Sequence, residues 1–249
     1  MHKPPNLKMF ITISFAVLST YMIAGNLEPI DATGWNQDIV IASVESYNTG
    51  ATAAMDDPNG SSSGASAWYG IGKNTSASTT GLPIGRTQSQ TSSDLYFKLQ
   101  SFGSSSSTSN NAIYGGGTLT ITQPTKYKRI ALVGATGQGT SNLSITFKYT
   151  TGNDVQVSAT TAAIGKDWFN NSSIAYTANG RISTEGGNYE YVNSGNPRLY
   201  ETFFNTDSSR HLQSVTITDS TISDPSQHNV IMAISGEIVP KAGTINVYY

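Results

Sequence analysis

The sequence predicts an all-β fold, and three observations carry that prediction. Only 12% of the 249 residues are charged, far too few for the Glu-, Lys- and Arg-covered faces of ordinary surface helices. Apolar residues recur with period two in stretch after stretch, as strands with one buried face require. Between those stretches lie turns rich in Ser, Asn and Gly, of which the chain has 24.

In chain order, "DIVIAS" (38–43) reads as a buried opening strand, and Trp35 just before it as a core residue. "LYFKLQSF" puts Leu95, Phe97 and Leu99 on one face, and "TLTITQP" does the same with Leu119 and Ile121. "RIALVG" (129–134) is continuously apolar, as a strand covered on both faces would be, and "LSITFKYT" alternates Leu143, Ile145, Phe147 and Tyr149. Val215 and Ile217 alternate in "SVTITDS", "NVIMAISGEIV" is a third continuously apolar run beside "DIVIAS" and "RIALVG", and "TINVYY" (244–249) reads as a last strand. The stretches "DDPNGSSSGAS" and "FGSSSSTSNN" hold too little apolar surface to fold alone and read as exposed loops.

The first 25 residues have the pattern of a secretory signal peptide: a weakly basic head, a short apolar run, then Ala24 and Gly25. Residues 26–249 are then expected to form one β-sandwich domain, secreted or held at the cell surface. Without that segment Lys3 and Lys8 are lost, the acidic excess grows, and no basic run remains to follow a phosphate backbone, so nucleic acid is not an expected partner. The chain has no Cys, which leaves stability to the core and to hydrogen bonds.

Several motifs suggest chemistry and then fail on context. "GATGQG" after "RIALV" resembles a dinucleotide-binding turn, but "LSITFKYT" follows it as a strand, so no helix N-terminus is there to meet a phosphate, and no nucleotide is expected. "GSSSG" fits the nucleophile-elbow pattern around Ser62 without flanking strand and helix signals. His211 and His228 have no metal-ligand spacing. Glu185, Glu190, Glu201, Asp167 and Asp207 offer carboxylates for glycoside hydrolysis, but the sequence selects no pair. Asp56, Asp57 and Asn59 in "MDDPNG" are the candidate calcium ligands, in a stretch that is also a good turn without metal.

Loop aromatics are the usual means of holding sugars, because flat rings stack on apolar sugar faces while amides and guanidinium groups bond the hydroxyls. On that ground Trp68, Tyr69, Arg86 and Arg198, each beside Gly or Pro, are the candidate carbohydrate contacts. For Trp68 and Tyr69 burial as a loop anchor stands equally open.

Read in order, "IDATGWNQDIVIAS", "GLPIGR", "SDLYFKLQSF", "LTITQPTKYKRIALVGATG", "LSITFKYTTG", "DWFN", "GRIS" and "LYETFFNTDSSRHLQSVTITDS" before "NVIMAISG" resemble the galactose-binding-like jelly-roll modules of exported bacterial proteins. The resemblance covers most of the chain after the signal. It implies a two-sheet antiparallel sandwich whose end loops bind glycans, with a structural calcium ion in some members. Asp167, Trp168, Arg181 and Glu201 fall within the matching stretches, as framework or ligand residues. Trp35 and the serine-rich insertions depart from the pattern. The expected function is therefore non-catalytic recognition of a glycan or cell-surface polymer. The rivals are a structural surface or matrix protein that self-associates through edge strands such as "TINVYY" and, third, a glycoside hydrolase.

Overall fold

A computed structural model of the chain describes residues 25–41, 55–56, 66–70, 81–102, 110–170, 173–183, 190–192, 195–220 and 227–240. The signal segment up to residue 24 and the expected strand at 244–249 lie outside the described residues. The strands are β1 Glu28–Pro29, β2 Ala32–Thr33, β3 Val40–Ile41, β4 Ser66–Tyr69, β5 Arg86–Gln88, β6 Tyr96–Lys98, β7 Ile113–Tyr114, β8 Gly116–Thr125 and β9 Tyr127–Thr136. They continue as β10 Leu143–Tyr149, β11 Val155–Ala159, β12 Ile174–Thr177, β13 Arg181–Ser183, β14 Glu190–Val192, β15 Arg198–Asn205, β16 Leu212–Asp219 and β17 Asn229–Ile238. Among the described residues the only helical element is one 3-10 turn, Ala163–Gly165.

Two antiparallel sheets form the body of an all-β sandwich. One runs β1-β17-β9-β15-β12, with β7 also on β17, and the other runs β11-β10-β16-β8-β2. Register follows the apolar pattern: Leu132 of β9 faces Ile234 of β17, and Ile145 of β10 faces Ile217 of β16. Ile130, Leu132, Ile145, Phe147, Val215 and Ile217 meet between the sheets in one continuous core. The outer face of the second sheet carries Ser144, Thr146, Thr118 and Thr216, the last two joined hydroxyl to hydroxyl at 2.8 Å. Ser and Thr side chains solvate most of that face, on which Lys148 is also exposed, in keeping with the low charge of the chain.

The structure adds a layer to the two-sheet expectation. Ala131, Val133 and Ala135 of β9, with Val230 and Met232 of β17, point away from the sandwich into another core, which contains Leu27, Leu82, Leu95, Phe97, Trp68 and Trp168. The short sheet β14-β13-β4-β3 and the β5–β6 hairpin supply this third layer. Two of the three continuously apolar runs are thus strands buried on both faces, while of "DIVIAS" only Val40–Ile41 is strand among the described residues.

Candidate functional site

The β5–β6 hairpin is fixed to the first strand, and the two together make a groove. The Tyr96 amide donates to the Leu27 carbonyl at 2.9 Å, the Leu27 amide to the Asp94 carbonyl at 2.8 Å, and the Ser235 hydroxyl to the Tyr96 carbonyl at 2.7 Å. Alternation along the hairpin sends Leu95, Phe97 and Leu99 into the core and turns Lys98 outward, directly across from Arg86. Two cations in that register repel. Glu28 relieves the repulsion by gripping Arg86 in a bidentate pair, Nε and Nη2 each 2.7 Å from a carboxylate oxygen. That pair holds the Glu28 carboxyl below its ordinary range, and the guanidinium also lies 3.4 Å over the centre of the Tyr96 ring.

The groove has a volume of about 430 Å³. Ile30, Leu99 and Phe102, each at most 8% exposed, make an apolar floor, while Asp31, Lys98, Gln100 and Ser101 supply polar atoms along the walls. Ile84 stands at its mouth, 73% exposed, between Pro83 and Gly85 at the approach to β5. Neither the Asp31 carboxylate nor the Lys98 ammonium has a hydrogen-bond or ion-pair partner among the described residues. Several other charges are committed, Glu237 to Lys128 and Arg129 at 2.9 and 2.8 Å, Asp207 to Arg210 at 2.6 Å, and buried Glu201 to the hydroxyls of Ser89 and Ser92, whereas Lys126, Lys148, Asp154 and Lys166 resemble the groove pair in having no side-chain partner among the described residues. Across the segment Pro29–Asp31 lies a smaller hollow of about 230 Å³, bounded by Ile121, Tyr127 and Ile238.

Of the four residues expected to touch carbohydrate, none lines this groove; Arg86 comes next to it, following Gly85 and pairing with Lys98 across the hairpin, and its guanidinium is engaged with Glu28. The loop placement of Trp68 and Tyr69 is corrected: both lie on β4 and are at most 1% exposed. Trp68 packs edge-on against Trp168 with ring centres 5.0 Å apart, and the Tyr69 hydroxyl donates to the Asn179 carbonyl. Arg198 opens β15, and its Nη1 donates to the carbonyl oxygens of Phe169 and Asn170 at 3.1 and 2.9 Å, a framework role. Asp31, Lys98, Gln100 and Ile84 did not stand out in the sequence. Their one signal was position: Lys98 and Gln100 are the outward members of the "FKLQ" alternation.

At the far end, Asp56 is buried beside Asp167 and Arg181. Burial, and then the Asp167 charge, push the Asp56 carboxyl up to about 6, against the pull of Arg181. The other candidate calcium ligands, Asp57 and Asn59, lie outside the described residues, and among the described residues no three His, Cys, Asp or Glu side chains cluster as a metal site would require. The glycine-rich turn after β9 is held by these same carboxylates. Asp167 accepts from the Gly139 and Phe169 amides at 3.0 and 2.8 Å, and Asp56 accepts from the Gln138 backbone. Gln138 has φ +48, and a Cβ on Gly137 would run into the Met55 carbonyl oxygen. The glycines thus serve close packing and a turn between β9 and β10.

The fold and the groove define an all-β sandwich with a half-apolar, half-polar cleft on its edge. No family model, curated protein or solved structure matches the chain. Among the described residues no helix is long and apolar enough to cross a membrane.

Proposed function

We propose that this chain is an exported, non-catalytic module that binds a saccharide unit of a glycan or cell-surface polymer in the groove between β1 and the β5–β6 hairpin. One observation carries the reading: an apolar floor bordered by polar and charged groups that the protein itself leaves uncommitted. Such a surface gains by meeting a ligand that is apolar on one side and hydroxylated at its rim. The exposed Ile84 and Ile238, at 73% and 55%, favour a second reading, association of copies of the chain through these walls.

A glycan array and polysaccharide pull-down, run with and without Ca²⁺ beside size-exclusion chromatography, separates the two. Saturable binding to one sugar class is expected. Lys98→Met should weaken it by about 10- to 100-fold, the worth of a charge-assisted hydrogen bond, without altering the fold, because Lys98 is exposed. Concentration-dependent assembly without sugar binding would overturn the reading in favour of a structural subunit.

A further inference from the structure

Resting on that saccharide reading, we infer that the groove is shaped for the acetamido group of an N-acetylated amino sugar. Among the described lining residues the two charges, Asp31 and Lys98, are of opposite sign, so together they offer no net charge to attract an ionic ligand. A uronate drawn to Lys98 would be repelled by Asp31. A free amino sugar drawn to Asp31 would be repelled by Lys98. A neutral amide satisfies both: its N–H donates to a carboxylate, and its carbonyl accepts from an ammonium or from the Gln100 carboxamide.

The floor narrows the choice further. Stacking on exposed aromatic faces is a common way of holding sugar rings, and among the described residues the lining contains no Trp or Tyr, only Phe102 at 8% exposure. The apolar surface on offer is aliphatic, from Ile84, Ile30 and Leu99, and suits a methyl group. Covering one methyl-sized group is worth about fourfold in affinity, and the two amide hydrogen bonds add to it.

The test is calorimetric titration of the protein with three probes: the β-1,4-linked N-acetylglucosamine tetramer, its de-N-acetylated counterpart and the glucose tetramer. The acetylated tetramer is expected to bind at least tenfold tighter than either of the others. Ile84→Ser, at a position too exposed to support the fold, should shrink that margin by about fourfold while leaving circular dichroism and melting unchanged. Equal or tighter binding of the glucose tetramer would overturn the acetamido assignment and leave saccharide recognition standing. An absence of binding to all three, together with a blank glycan array, would overturn both.

Discussion

Trp68→Ala is expected to lower the unfolding free energy by about 3–5 kcal/mol, as removal of a buried large aromatic does, and to change glycan affinity only through loss of folded protein. The ring is fully buried on β4, and it meets Trp168 edge-on in the core that joins the third layer to β9 and β17. The cavity left by alanine cannot close easily, because strands on both sides are fixed by their ladders. The Trp68 indole N–H has no acceptor among the described residues, so Trp68→Phe should cost clearly less than Trp68→Ala, since it removes an unsatisfied donor and keeps most of the volume. Urea unfolding of the three proteins reads this order directly. A Trp68→Ala protein of unchanged midpoint that had lost sugar binding would make the ring a ligand contact and contradict its place in the core.

The second large effect depends on pH. Folding raises the Asp56 carboxyl from the ordinary aspartate value near 3.9 to about 6, by burial first and by the Asp167 charge second. A group whose folded pKa is raised contributes stability that is fully present below the unfolded pKa and lost as pH climbs through the folded one. The contribution is therefore intact near pH 4 and gone above about pH 7, and its size is at most about 3 kcal/mol. Glu201, raised by its own burial, slopes the same way. Glu28, Asp207 and Glu237 are lowered by their partners and slope oppositely, losing their contributions in acid. The difference between wild type and Asp56→Asn isolates the one group. Asparagine keeps the acceptor for the Gln138 amide without the charge, so the variant should be the more stable protein at pH 7, with its advantage fading toward pH 4. Denaturant unfolding from pH 4 to pH 8 checks this, and a pH-independent difference would remove Asp56 from the account.

How far the sequence could be read depended on whether the deciding contacts were local. β10 and β16 were legible because one face of each meets the core and the other meets water, so alternation appears in the chain itself. β9 and β17 were legible for the opposite reason, since burial on both faces leaves an unbroken apolar run. β4 was not. Its four residues sit in "SGASAWYGIG", where Ser66 and Ala67 read as loop although each is 1% exposed, and its pairing with β3 and β13 depends on residues far away in sequence.

The glycine turn was read correctly from the strand that follows it. The groove was hidden. Asp31 and Lys98 are ordinary outward residues until β1 meets a hairpin some sixty residues later in the chain. Arg86 is a candidate contact by its place beside Gly85, but its partner Glu28, 58 positions away, decides that it braces the groove wall.

The claim that a saccharide lies between β1 and the β5–β6 hairpin is tested most directly by amide chemical-shift mapping of the ¹⁵N-labelled protein during titration with the N-acetylated tetramer. Saturable shifts are expected at Asp31, Gly85 and Lys98 through Phe102, with little change around Asn170 and Arg198 at the other end. Saturable shifts gathered at that other end, with the groove amides unmoved, would contradict it.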